Sequence, residues 1–281
     1  MHDFLPRIAH FMHQSAGTAF LFTKSDIKTT LIPVTLLASA AGPLCSLSRL
    51  PHVIFWIWLH LLQFDVSNQY LNPEEDATNK SDRPLPSKRI SLLTAVWLRW
   101  LLVPGCLGLS MLYSVETLYA TGIALISLTF IYNEAGCHGS HWAIRNLVNA
   151  AGFASFEAGA TFVSTSDYRS LDNVGLWSIM LSFGIFATTI HTIGRKTIPI
   201  VHPHIARWSV LIPLLIWSLC LSGIWSLKTP EAMCFILLSA HIGTRYLRLD
   251  TVEDDQVSFY WYNVWLSIAH FIPAYYRLTQ S

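Results

Sequence analysis

Charge is scarce in this chain. Of its 281 residues only 12% are Asp, Glu, Lys or Arg while 52% are hydrophobic, against about 25% charged in an average soluble domain. So little charge cannot cover a globule of this size in water, and a bilayer is the expected solvent. The net charge of +1 excludes the global basic field on which nucleic-acid binding depends. Cysteine pairing is absent too. Cys45, Cys106, Cys137, Cys220 and Cys234 include no C-x-x-C spacing, and all but Cys137 lie in or beside apolar runs. They read as small hydrophobes, so neither a disulfide framework nor a thiolate zinc site is expected. The first residues, with His2, Asp3 and His10 ahead of any long apolar run, lack the charged and short apolar regions of a cleaved signal peptide, and the first span is expected to serve as its own signal. No repeat or low-complexity linker interrupts the composition, so a single domain over residues 1–281 is expected.

Long apolar runs fill the space that charge leaves. Windows at residues 29–47, 51–67, 92–113, 116–132, 143–163, 176–193, 208–227, 231–247 and 257–276 approach the roughly 20 residues needed to cross about 30 Å of hydrocarbon. The expected fold is all-α, a polytopic membrane bundle of about nine transmembrane helices. The fifth window carries Arg145, Asn146, Asn149 and Glu157. Polar side chains at helical spacing turn toward the bundle, so Arg145, Asn149 and Glu157 are candidates for lining a cavity; a helix lying in the interface is the alternative. Glu157 has to be paired with a neighbouring helix or in contact with substrate, because an unpaired carboxylate inside a span costs about 3 kcal/mol. Trp100, Trp142, Phe153, Phe156, Trp177 and Phe186 can stabilise a carbocation if they line that cavity, or simply pack.

With the spans numbered in order, twelve Lys and Arg, from Arg7 to Arg248, fall on the side of the amino terminus and the even-numbered exits. Arg49, Arg169, Lys228 and Arg277 fall on the other. The positive-inside rule puts the amino terminus and the loop after the second span in the cytosol. Asn79-Lys80-Ser81 is a glycosylation sequon that a cytosolic loop leaves unmodified.

That loop concentrates polar chemistry. Residues 65–84 place carboxylates, carboxamides and a basic tail at the water edge of the second span, the parts needed to hold magnesium and a diphosphate while a hydrocarbon tail enters the bundle. Asn72-Pro73-Glu74-Glu75 is a helix-start pattern. On the short helix it predicts, Asp76 and Asn79 share a face, and Asn68 on the last turn of the preceding span can complete a metal site across the break. Pro84 and Pro86 end that helix. Lys80, Arg83, Lys88 and Arg89 can neutralise diphosphate oxygens, Arg by forked hydrogen bonds and Lys as a point charge. A solvated basic loop that acts only on topology accounts for the same charges.

The same stretch resembles the first aspartate-rich motif of the UbiA superfamily of intramembrane prenyltransferases, approximately NDxxDxxxDxxN followed by RP. Asn68 matches the leading Asn, Asp76 the last Asp, Asn79 the following Asn and Arg83-Pro84 the closing pair. Gln69 and Asn72 stand where the family often has aspartate, and Glu75 adds a carboxylate. Phe22-Thr23-Lys24-Ser25-Asp26, Tyr132-Asn133-Glu134, His141-Trp142 with Arg145-Asn146, Gly194-Arg195-Lys196-Thr197-Ile198-Pro199 and Ala206-Arg207-Trp208 look like the fungal branch that contains UbiA-type terpene cyclases. The resemblance implies a ring of nine helices, Mg2+ as cofactor, and farnesyl or geranylgeranyl diphosphate as substrate within membrane lipid. It implies Asp76, Asn68, Asn72, Glu75 and Asn79 as metal ligands and Arg83, Lys88, Arg195 and Lys196 as diphosphate partners. The implied reaction expels diphosphate and leaves an allylic cation. A terpene cyclase quenches that cation within the same molecule; the alternative is a prenyltransferase that passes it to an aromatic or polyketide acceptor. Secondary metabolism at the endoplasmic reticulum is the implied setting.

The family's second motif, of DxxxD type, precedes the stretch that Gly194 to Pro199 resembles. Here Thr188-Thr189-Ile190-His191-Thr192-Ile193 runs straight into Gly194, and no Asp or Glu occurs between Asp172 and Glu231. A misplaced intron boundary, a non-catalytic degenerate relative and replacement by other residues are the three readings of this departure. Asp250-Thr251-Val252-Glu253-Asp254-Asp255 has the spacing for a replacement, and an acidic loop between spans explains it equally. Cys137-His138-Gly139-Ser140-His141 lacks a fourth ligand at zinc spacing and reads as a loop with incidental histidines. His202-Pro203-His204 reads as an interfacial turn.

Overall fold

Backbone polar groups in hydrocarbon can be satisfied only within helices or closed barrels. The computed structural model describes residues 4–41, 47–71, 73, 76, 77, 80–165, 171–188, 203–248 and 252–280, and among these the regular structure is helical throughout. The helices are α1 (Phe4–Thr23), α2 (Ile32–Ala41, continuing a π-helical turn Ile27–Leu31), α3 (Leu50–Leu71), α4 (Leu92–Tyr113), α5 (Ile123–Asn133, continuing a π-helical turn Thr117–Gly122), α6 (Trp142–Thr165), α7 (Asn173–Thr188), α8 (Pro203–Ile224), α9 (Thr229–Tyr246) and α10 (Val252–Gln280). The helices α2 to α10 take up the apolar windows in order. Helix α1 is additional; the span count does not include it, and its last turn is held to the bundle by Phe22, which packs with Leu62, Val66, Ala95 and Leu102.

Local sequence sets where the helices stop. Ser91 caps α4 by accepting from the Thr94 amide at 3.0 Å. Glu231 reaches back to the Lys228 amide at 3.1 Å at the start of α9. Gly136, with φ of +74°, makes the left-handed turn between α5 and α6 that a residue with a Cβ rarely adopts.

Packing then arranges the helices as a closed ring. Each of α2 to α10 lies against its neighbours in sequence, α4 meeting the π-helical turn before α5, and α10 returns to pack on α2. Helix α6 also packs on α2 and α3, which places it among bundle helices and not along an interface. The outer surface suits lipid. Trp97, Leu101 and Leu112 on α4 are 69%, 71% and 83% exposed, an apolar face that water would penalise. By length and hydropathy α4 alone among the described residues meets the requirement for a span; Ile27–Ala41, Thr117–Asn133, Asn173–Thr188 and Val210–Ile224 are shorter apolar segments.

Close approach is made by small residues, as expected where helices associate without a hydrophobic driving force. A Cβ added to Gly159 on α6 would overlap the Trp56 indole, and one on Gly175 would overlap the Ala41 backbone. Trp56 is fully buried and donates from Nε1 to Ser110 Oγ at 2.9 Å, so it has no room to yield. Gly159→Ala is therefore expected to destabilise the protein by roughly 1–3 kcal/mol through overpacking. Thermal unfolding in detergent checks this against Gly223→Ala, where nothing stands within 4 Å and no loss is expected.

Candidate active site

Between α3, α5, α6, α7, α10 and the turn before α2 lies a cavity of about 260 Å³. Its lower wall is aromatic and aliphatic: Phe153, Phe156, Phe186, Leu61, Leu125 and Leu266. Phe153 and Phe186 pack with ring centroids 4.0 Å apart. Its upper wall is polar, with Asp26, Thr29, Thr30, Asn146 and Asn149. His60 also reaches the wall, about 12 Å along α3 from Asn68 at 1.5 Å per residue. Its Nδ1 donates to the Trp56 carbonyl at 3.0 Å, and Nε2 sits 3.3 Å from Ser110 Oγ, so the hydroxyl donates to a neutral imidazole.

Above the polar wall, residues distant in sequence are tied together. Arg83 Nη1 donates to both carboxylate oxygens of Asp76, at 2.7 and 2.8 Å, and its Nη2 donates to Ser25 Oγ at 3.2 Å. Gln69 donates to the Phe22 carbonyl at 2.9 Å. Asn68 donates to Asn133 Oδ1 at 3.2 Å. Lys24 and Asp82 form an exposed pair at 3.0 Å; the hydrogen bond and charge of Lys24 hold the Asp82 carboxyl below the usual carboxylate range. These contacts fasten the end of α1, the end of α3 and the loop 80–90 into one polar cap.

The structure brings Asn68, Asp76 and Arg83 into that cap and puts Asn149 on the cavity wall. Pro73, Asp76 and Ala77 have helical backbone, while Asn72, Glu75 and Asn79 lie outside the described residues, as do Arg195 and Lys196. Lys88 is exposed and adopts a left-handed φ of +57°. Arg145 is buried on α6 but is not among the residues lining the cavity. Glu157 sits one layer behind the wall, where its Oε1 accepts from Ser182 Oγ at 2.7 Å and contacts His270 Nε2 at 3.0 Å. Arg99, inside α4, forms an ion pair with Glu134 and lies 4.8 Å over the Trp100 ring. Phe153, Phe156 and Phe186 line the cavity, whereas Trp100 and Trp177 point outward. His138 Nδ1 donates to the Tyr132 carbonyl at 3.0 Å, and His141 Nδ1 accepts from the Ala143 amide at 3.3 Å, so both histidines have local backbone partners. Asp250 is outside the described residues; Asp254 belongs to the first turn of α10, where an acidic side chain complements the helix dipole. Asp26 and Asp65 fall within the stretches Phe22 to Asp26 and 65–84, but the sequence singles out neither as a ligand, and His60 belongs to no motif.

The donor set fits magnesium in kind. Among the described residues no group of three His, Cys, Asp or Glu converges on one point. Mg2+, however, is commonly held by one or two carboxylates with the remaining positions taken by water and substrate phosphate. Asp76 supplies hard oxygen donors in the polar cap, and Asp65 Oδ2, one turn before Asn68 on α3, is buried with no hydrogen-bond partner.

Comparison with known proteins agrees with this architecture. Residues 30–266 match the UbiA prenyltransferase family. The fumagillin beta-trans-bergamotene synthase of Aspergillus fumigatus is 30% identical over 273 residues, covering 93% of each chain. A diterpene cyclase of Hericium erinaceus is 28% identical over 261 residues, covering 86% of this chain and 83% of that one. A polyprenyl transferase of Hericium erinaceus is 24% identical over 277 residues, covering 92% and 93%. A solved structure of digeranylgeranylglyceryl phosphate synthase superposes with a TM-score of 0.60 at 17% identity, over 92% of this chain and 98% of that one, which bears on fold alone. The sequence match over most of the chain and the closed helical ring lead to one conclusion: the chain belongs to the UbiA prenyltransferase family.

Proposed function

We propose that this protein is an intramembrane terpene cyclase that takes a prenyl diphosphate, farnesyl or geranylgeranyl, and releases a cyclised hydrocarbon. The observation that carries this reading is the cavity: polar toward the cap, aromatic at its other end, and about 260 Å³ in volume. Concave, mostly apolar sites with a few convergent polar groups are the usual form of a small-molecule site, and this one suits a prenyl chain with its charged group at the polar end. Similarity to a bergamotene synthase and a diterpene cyclase supports cyclisation over transfer to an acceptor.

In this reading the diphosphate lies at the polar cap, with Arg83, Lys88, Arg195 and Lys196 as partners. Asp76, Asn68, Asn72, Glu75 and Asn79 would hold Mg2+, which supplies neutralisation of the negative charge on the departing diphosphate. The protein's own part is to hold the prenyl tail against Phe153, Phe156 and Phe186, whose ring faces attract a carbocation, and to keep bulk water from it until it closes on itself. The Lys and Arg asymmetry supports an amino terminus and cap in the cytosol, and the endoplasmic reticulum is the proposed membrane.

Membranes containing this chain, supplied with farnesyl or geranylgeranyl diphosphate and Mg2+, are expected to yield a hydrocarbon that disappears when the metal is chelated. Product that forms only when an aromatic acceptor is added would replace the cyclase reading with the transferase one. No turnover under any of these conditions would favour a non-catalytic relative, consistent with the missing second acidic motif.

A further inference from the structure

Two carboxyl groups meet at the cavity mouth that the reading above leaves unused. Asp65 lies on α3 one turn before Asn68, is 3% exposed, and has an Oδ2 with no hydrogen-bond partner. Gln69, one turn further along α3, holds the Phe22 carbonyl, which brings Asp26, four residues after Phe22, beside Asp65. Asp26 ends the turn between α1 and the π-helical turn, accepts from Thr29 Oγ1 at 3.0 Å, and lines the cavity. The juxtaposition is built. The Gln69 bond to Phe22, the Arg83 bond to Ser25 and the Lys24 pair with Asp82 hold residues 22–25 against α3 and the loop 80–90.

Two carboxylates cannot face each other in a water-poor site unless a proton or a cation stands between them. Arg83 and Lys80 are the positive side chains whose charge reaches Asp65, but the Arg83 guanidinium is taken by Asp76 and Ser25 and Lys80 is exposed. A divalent ion would satisfy both carboxylates and leave coordination positions open toward the cavity for phosphate oxygens and water. A hydrogen-bonded proton would satisfy the carboxylates and leave nothing to offer a diphosphate.

We propose that Asp26 and Asp65 form a divalent-cation site at the cavity mouth, separate from the Asp76 side of the cap. It rests on the prenyl diphosphate reading for its purpose: it gives the substrate's phosphate a second point of charge neutralisation in a chain with no acidic residue between Asp172 and Glu231.

Mn2+ binding to the purified full-length protein in detergent, followed by electron paramagnetic resonance without any substrate, tests the site by itself. Asp65→Asn and Asp26→Asn are each expected to weaken one class of Mn2+ site at least tenfold relative to the wild type while sparing Mn2+ held on the Asp76 side, and the rise in thermal midpoint with Mn2+ is expected to be smaller in each variant than in the wild type. Each substitution is tested alone, so the conclusion stands on Asp26→Asn if Asp65→Asn does not fold. Wild-type protein that binds no Mn2+ up to millimolar concentration, or variants that bind it like the wild type, would overturn the site. Turnover of farnesyl diphosphate by the wild type is measured in parallel. Mn2+ binding lost in the variants with no turnover by any form leaves the site standing and removes the cyclase reading; turnover with unaltered Mn2+ binding does the reverse.

Discussion

Replacing Asp76 with alanine is expected to lower diphosphate release from a prenyl diphosphate at least about 100-fold, the loss that follows removal of one group stabilising developing charge. The substitution has a second consequence that must be separated from the first. Asp76 is 7% exposed and both its oxygens accept from Arg83 Nη1, so alanine leaves a buried guanidinium without its partner, at a cost of about 3–5 kcal/mol. Asp76→Ala combined with Arg83→Met removes the pair and fills the space with apolar atoms. This double variant is expected to regain most of the thermal midpoint, because replacing a buried ion pair with packed hydrophobic atoms is often neutral, and to remain inactive. If diphosphate release returned with stability, Asp76 would be a partner for Arg83 alone and would leave the proposed metal site.

His270→Ala is expected to destabilise the protein by about 3–5 kcal/mol, the effect of breaking a buried pair from one side. Glu157 is 0% exposed, and its Oε1 depends on Ser182 and His270. His270 Nδ1 donates to the Leu266 carbonyl at 2.7 Å, so the contact between Nε2 and Oε1 must contain one proton, and the two side chains together carry no net charge. That neutrality is what lets a carboxyl group sit among α6, α7 and α10. Glu157→Gln preserves an oxygen for Ser182 and is expected to cost far less, and the double variant Glu157→Leu with His270→Phe is expected to approach wild-type stability. Thermal unfolding in detergent measures all three. An unchanged midpoint in His270→Ala would mean that Glu157 does not depend on that partner.

These expectations differ in how much the sequence could supply. The nine windows are legible as helices because apolar runs are bounded by polar loops segment by segment, and α2 to α10 take them up in order. Helix α1 escapes such a count: its anchoring residue, Phe22, is meaningful only beside Leu62 and Val66 of α3. The motif residues Asn68, Asp76 and Arg83 are legible for a related reason, since they lie on either side of one helix break and chain connectivity keeps them near each other. Asp26 and Asp65 are invisible as a pair because nothing in their spacing links them; three contacts from other residues do.

The Glu157 alternatives mark the boundary. Hydropathy states that a carboxyl group inside α6 needs a partner, but His270 stands 113 residues away, and which helix offers it depends on how α6 and α10 are rotated about their axes. The sequence by itself determined the all-helical fold class and the family, which the apolar windows and the motif stretches carry segment by segment. Only the tertiary structure decided which polar side chains face the cavity, which neutralise one another behind its wall, and which carboxylates meet at its mouth, because a helix's composition does not specify its rotation and packing against its neighbours does.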